Sequence, residues 1–467
     1  MTTDTAVSFV RDATRSDFSE EARNHLRNRV LDALAATTAG FALPTADVVR
    51  EYAADHHGGD GKGGDAATLL SGEGGKESTL SEQGAVLVNA TAANALDVDD
   101  GHREVKGHPA AVVVPPALAA AEAVGATVGE LLAAVGVGYE LAVRAGLAVH
   151  ETDGVYTGTG SWGALGAAAA VARLRGLDWE TTARALGTAE YHAPRTPIMR
   201  GVERPGMTKD GIGWGAYAGT AAVDLAEAGF TAAGTVFDEE GVSATEDLGD
   251  HCYLTTGYLK PYPCCRWAQP GVEAVLDLRN SREISPESVE TIRVHTFEAA
   301  THLGTRRPES VEAAEYSYPY PVAAALARGE FTPAELGTSR REEESVLALA
   351  DRVEMVVDSD LEARFPAECL ARVELVLSDG EGETVSSDVT RAKGAKERPL
   401  SDAERRAKAA DLFEGPLSSG TVEWVEETLA SPSASVEELL GPWRDANESN
   451  DAAESGRTDE LADHGEV

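Results

Sequence analysis

The sequence predicts a mainly α protein, with a large all-helical domain over residues 1–265 and a smaller α+β domain over 266–399. Three observations lead there. In the first 260 residues apolar side chains recur at helical spacing, as Leu26, Val30, Leu31 and Leu34 do behind Ser19-Glu-Glu. Many of these stretches are so rich in alanine that the helices must pack closely against one another. After about residue 265 the composition shifts. Residues 289–296 alternate apolar and polar like a strand, and 371–377 and 384–389 flank Ser378-Asp-Gly-Glu-Gly, a hairpin signal.

Taken in order, the helical patterns after the first fall at 79–96, 116–126, 128–148, 161–174, 179–189 and 211–228. The glycine run 58–64 reads as a surface loop and lacks the order of a P-loop. Two further helical patterns, 309–328 and 341–357, lie among the strands. Residues 401–414 and 420–440 return to helix, so 400–440 is expected to dock back on the first domain. Residues 445–467 read as an acidic, disordered tail. The first 15 residues lack the apolar core of a signal peptide. The apolar stretch 110–126 is broken by Pro115, Pro116 and Glu122, so no membrane span is expected.

The formal charge is -39, from 79 acidic and 40 basic residues, and only 8 of the basic ones are lysine. Such a surface suits high salt, where self-repulsion is screened. The same field argues against nucleic acid and anionic membranes as partners. A cytoplasmic protein is expected. Four cysteines, with Cys264 and Cys265 adjacent, form neither a disulfide framework nor a zinc or iron–sulfur spacing.

The chemistry concentrates between 89 and 116. Asp97, Asp99, Asp100, His102 and His108 fall within a dozen residues between two apolar segments. A polar knot there is costly unless it is paired or used, and carboxylate–histidine pairs move protons. Helix capping is the structural alternative. Gly158-Thr-Gly-Ser-Trp-Gly163 matches GxGxxG, but no buried strand precedes it. A close-packed helix start is the simpler reading, and Thr159 at that start is a candidate for holding a substrate carboxylate. Lys209 precedes a small-residue helix, and Lys260 lies in the rigid turn Tyr258-Leu-Lys-Pro-Tyr-Pro-Cys-Cys-Arg266. With Arg266 they suit a di- or tricarboxylate anion. Tyr316-Ser-Tyr-Pro-Tyr320 offers a phenol to substrate, or packing at a domain junction.

In this order these pieces resemble the MmgE/PrpD family, which includes 2-methylcitrate dehydratase, cis-aconitate decarboxylase and iminodisuccinate epimerase. The matching stretches are Asn94-Ala-Leu-Asp-Val-Asp-Asp with His108-Pro109, Gly163-Ala-Leu-Gly, Met207-Thr-Lys209, Lys260-Pro-Tyr-Pro-Cys-Cys-Arg266, Ser317-Tyr-Pro-Tyr320, and Phe365-Pro with Leu377-Ser-Asp-Gly380. They span roughly residues 5–440. The resemblance implies that the α+β domain is a lid, that the site lies between the domains, and that the protein is a homodimer needing no metal or organic cofactor. It implies that Asp97, His108, Lys209, Lys260 and Tyr320 carry the chemistry. Asp100, His102, Arg266 and Thr159 are expected to bind substrate. The implied activity is that of a lyase on a small polycarboxylate, foremost a 2-methylcitrate dehydratase. An isomerase or epimerase, a cis-aconitate-type decarboxylase, and a non-catalytic carboxylate binder are the alternatives. Three positions depart from the decarboxylase branch or the family. Gly101 aligns with a threonine of that branch, Thr157 lies near its histidine, and Gln269 stands where the family often has histidine.

Overall fold

The computed structural model describes residues 2–58, 67–72, 80–282, 284–378 and 383–447. Most of the glycine run, the hairpin turn after Ser378 and the tail beyond Asn447 lie outside the described residues. The segment 441–447, read as running into a tail, is helical, and Trp443 within it is fully buried with its indole N–H donating to Thr38 Oγ1 at 2.9 Å.

The first half is a bundle of helices. Its centre is made by Glu82–Ala95, Pro109–Ala123, Val128–Asp153, Thr159–Leu174 and Ile212–Glu227, which pack on one another. Small residues set how close they come. A Cβ on Gly138 would lie 2.7 Å from the Gly166 carbonyl, and one on Gly166 would lie 2.4 Å from the Gly138 carbonyl. At such crossings only glycine fits.

Val128–Asp153 is long and apolar enough to cross a membrane, which the sequence reading did not anticipate; 94% of its most apolar window is buried inside the fold. Pro109–Ala123 starts seven residues before the expected boundary of 116. Pro109 supplies the favoured first position, and Pro115 and Pro116 sit within the helix rather than before it. Full burial of that apolar segment outweighs the lost hydrogen bonds.

The second half carries a mixed sheet in the strand order Val353–Val357, Val289–Thr296, Leu370–Leu377, Thr384–Ser386, with Thr390–Arg391 pairing the start of Leu370–Leu377. The first pair is parallel and the others antiparallel. The helix expected over 341–357 is a helix at Glu344–Ala350 followed by the strand Val353–Val357. Its β-branched and methionine side chains fit a half-buried pleat better than a helix. The pattern at 309–328 breaks into Val311–Glu315 and Pro319–Arg328, because Pro319 opens a new helix. Gln269–Ser281 packs on Leu370–Leu377 and on Pro319–Arg328.

The chain then returns to the bundle. Asp402–Phe413 lies along Glu20–Gly40, where the Lys408 ammonium pairs with Asp32 and donates to the Val98 carbonyl at 2.7 Å.

Candidate active site

The helix Glu82–Ala95 ends at Leu96, and Asp97 turns the chain with a φ of 50°. A two-residue strand, Asp100–Gly101, then pairs antiparallel with Tyr258–Leu259, with Asp100 opposite Leu259 and Gly101 opposite Tyr258. This pairing brings the Lys260 turn onto the acidic segment. His108 closes the segment as the residue before Pro109–Ala123. Its φ of -124° is what a residue before proline prefers, but its ψ of 73° stops short of the extended region.

His108 Nδ1 lies 2.9 Å from Asp99 Oδ2 and 2.9 Å from the Asp100 carbonyl oxygen. Nε2 is thereby turned toward Asp97 Oδ1 at 3.6 Å and Asp210 Oδ2 at 4.0 Å. Burial alone lowers an imidazole, but the Asp99 carboxylate reverses this and His108 is pushed up to about 9. It is therefore an imidazolium at neutral pH. Burial likewise raises Asp99, and the His108 charge more than offsets it, leaving Asp99 down at about 2. Asn94 Nδ2 donates to Asp99 at 2.9 Å and holds it in place. Lys260 Nζ forms a fully buried ion pair with Asp97 Oδ1 at 2.8 Å. Asp210 is raised by burial.

These groups open onto one cavity between the two halves. Asp97, His108, Asp210, Lys260 and Arg266 line it, with Tyr258, Trp267, Tyr316, Phe365 and Pro366 as an aromatic and apolar wall. Arg103, Lys106, Cys369 and Arg391 line it as well. Arg266 stacks on the Tyr258 ring at 4.3 Å and donates to Gln269 Oε1 at 2.8 Å and the Lys393 carbonyl at 2.9 Å.

Other expected site residues stand elsewhere. Lys209 does not reach the cavity. Its ammonium donates to the Asn94 and Ala95 carbonyls at 2.6 and 3.3 Å and to Glu315 Oε2 at 2.8 Å, which uses all three protons. Tyr320 packs in the core of the second half, where its hydroxyl donates to the Glu335 carbonyl at 2.6 Å. Pro319 fixes the helix start and Ser317 caps the Tyr320 N–H, so Tyr316 faces the cavity instead. Asp100 sits behind His108, accepting the Ala110 N–H at 2.9 Å and lying 3.9 Å from Arg29. His102 bonds Thr256 Oγ1 at 3.0 Å, and burial pushes it down to about 3, so it is neutral. Thr159 does not line the cavity; its hydroxyl accepts the His108 N–H at 3.1 Å and donates to Asp210 Oδ2 at 3.1 Å. It positions both groups.

The sequence reading did not single out Asp210, Lys106, Arg103 or Arg391, and it chose Tyr320 rather than Tyr316 from the tyrosine cluster and Lys260 and Arg266 rather than Tyr258 from the turn. Asp210 adjoins a lysine that had been singled out, which was the one available signal. Asp97, Lys106 and Lys209 are the only non-glycine residues with positive φ among those described, and all three belong to this region. Such strain gathers at functional sites.

Asp97, Asp99 and His108 offer ligand atoms within 4.8 Å of one another, a spacing a metal ion could bridge. The Lys260 ammonium already supplies the positive charge against Asp97, so an ion would have to displace it.

The MmgE/PrpD N-terminal domain family matches residues 5–245 and the MmgE/PrpD C-terminal domain family matches residues 262–429. A cis-aconitate decarboxylase-like protein, oryM, of Aspergillus oryzae is 26% identical over 403 residues, covering 77% of this chain and 81% of that protein. A cis-aconitate decarboxylase of Aspergillus terreus is 25% identical over 385 residues, covering 74% of this chain and 78% of that one.

Proposed function

This chain belongs to the MmgE/PrpD family, and on that premise we propose a lyase acting on a small polycarboxylate, dehydrating a hydroxy acid of the 2-methylcitrate type without a cofactor. The observation that carries this reading is the placing of His108, held at Nδ1 by Asp99 and the Asp100 carbonyl, with Nε2 facing the cavity between Asp97 and Asp210. Loss of water needs a base for a C–H proton and an acid for the departing hydroxyl. Asp210, raised by burial, takes the proton from carbon. His108 gives its Nε2 proton to the hydroxyl, which leaves as water as the C–O bond breaks. The proton on Asp210 then returns to His108 across the 4.0 Å gap, and the site is reset. Lys260 and Arg266 hold substrate carboxylates and favour the electron-rich form that develops when the adjacent carbon is deprotonated.

Decarboxylation is the second reading, favoured by the names of the relatives. The same imidazolium can protonate the carbanion that loss of carbon dioxide leaves. The space near Gly101 counts against this second reading. A Cβ there would lie 2.4 Å from the Tyr258 ring, so the threonine implied for the decarboxylase branch has no room.

NMR of the purified protein in molar potassium chloride with 2-methylcitrate, citrate, cis-aconitate and iminodisuccinate tests both readings. Net water loss from a hydroxy acid is expected. Carbon dioxide from cis-aconitate would replace dehydration with decarboxylation. Deuterium exchange alone would indicate an isomerase, and binding without turnover would remove the enzyme. We also propose a homodimer. Tyr52 and Trp214 are exposed and lie 6.4 Å apart on one face, and Trp214→Glu should shift the mass in light scattering to that of a monomer.

A further inference from the structure

Lys106 has no carboxylate partner within 4.0 Å among the described residues, in a chain with about two acids for every base. Of the other described lysines, Lys209, Lys260, Lys393 and Lys408 have one, and Lys396, which has none, is exposed to water. Lys106 is also half-buried and strained, with φ at 49°. Its ammonium sits 2.9 Å from the centre of the Tyr156 ring and 5.5 Å from that of Phe365, so it is largely out of water and bridges the two halves at the cavity wall. Desolvation of this kind lowers its affinity for a proton, to about 8. A desolvated cation kept in a strained turn without a counter-charge is an unfavourable arrangement, unless a ligand completes it.

Arg266 shares the feature. It is bound to Gln269 and two backbone carbonyls and stacked on Tyr258, with no acid among the described residues in an ion pair with it. The Cys369 thiol, on the cavity wall, lies within the field of both Lys106 and Arg266. Two further cations, Arg103 and Arg391, line the same cavity, but Glu397 and Glu368 pair with them.

We propose that Lys106 and Arg266 bracket a second anion subsite over Cys369, which takes a substrate carboxylate remote from the His108–Lys260 end, and that Lys106 sets the preference for substrates carrying it. This rests on the polycarboxylate reading above. Lys106 is a specificity residue in this view, and the proton transfers remain with His108 and Asp210.

Calorimetric titration with propane-1,2,3-tricarboxylate in molar potassium chloride at pH 7 tests it. Lys106→Asn removes the charge, and asparagine tolerates positive φ, so the melting temperature should hold or rise. Lys106→Gln is the second neutral variant should that one not fold, and Lys106→Arg keeps the charge. Affinity is expected to fall at least 10-fold in the neutral variants and to stay within about 3-fold in Lys106→Arg. Wild-type affinity in Lys106→Asn or Lys106→Gln overturns the subsite while leaving the polycarboxylate reading intact. Equal loss in the arginine variant overturns it as well, since charge would then not be what matters. A wild-type protein that binds neither this acid nor citrate overturns both readings.

Discussion

His108 keeps its charge because Asp99 pairs with one ring nitrogen, while the other faces the cavity near Asp97, which is itself paired with Lys260. That division of labour makes testable demands. His108→Asn should preserve the fold and lower turnover about 10²–10⁴-fold, the range for lost acid–base catalysis; a near wild-type rate in steady-state assays would remove His108 from the chemistry. The folded pKa of about 9 lies above the unfolded value of about 6.5. Its contribution to stability is therefore complete below about pH 6.5 and disappears as pH rises through about 9. Turnover that needs the imidazolium should decline over the same alkaline limb, and pH–rate profiles check this. Two lysines that look alike in sequence part company. Lys260→Ala should cut kcat/KM at least about 10²-fold. Lys209→Met should destabilise by about 3 kcal/mol, because it strands the buried Glu315, and urea unfolding measures it. Sequence spacing singled out Asp97 and His108, since a polar knot between apolar segments has few other uses, and the family resemblance added Lys260 to them. It did not separate Lys209 from Lys260 or Tyr316 from Tyr320. Which acceptor a lysine meets depends on carbonyls and acids more than 100 residues away.

At the scale of elements, the glycines of Gly158-Thr-Gly-Ser-Trp-Gly163 turn out to be contact points of a helix start with the Asp210–Gly211 turn and with Pro109–Ala123. A Cβ would meet the Asp210 carbonyl at 2.8 Å from Gly158, the Gly211 carbonyl at 2.1 Å from Gly160, and Val112 at 2.4 Å from Gly163. The reading of the motif as a packed helix start, with no strand before it, rested on what a Rossmann turn requires. The Gly160 N–H also donates to the Asp210 carbonyl at 2.9 Å. Gly160→Ala should therefore destabilise by about 1–3 kcal/mol and also lower turnover by displacing Asp210. Calorimetric melting together with steady-state rates reads both, and a stable, fully active variant would refute the link. Helix periodicity located most of the bundle, since an alanine-rich apolar face leaves few alternatives. It failed at 353–357, where Val353-Glu-Met-Val-Val357 fits either period and strand pairing with Val289–Thr296 decides.

Across the whole molecule the charge of -39 coexists with a cavity wall that gathers cations. The surface repels itself while the site attracts anions. Folding should therefore strengthen as the Debye length shrinks to about 3 Å at 1 M salt. A melting temperature that stays flat or falls from dilute buffer to molar potassium chloride would contradict this. That the acids outnumber the bases is visible in composition; that several of the basic residues line one cleft is a property of the closed fold. The short pairing of Asp100–Gly101 with Tyr258–Leu259 has a further consequence. It joins residues that are more than 150 positions apart, and Lys260 meets Asp97 only once it has formed. Local helices form earlier than such long-range contacts. After a jump from dilute buffer into molar salt, circular dichroism should recover first and turnover last, so that catalysis serves as the clock for the final stitch of the chain.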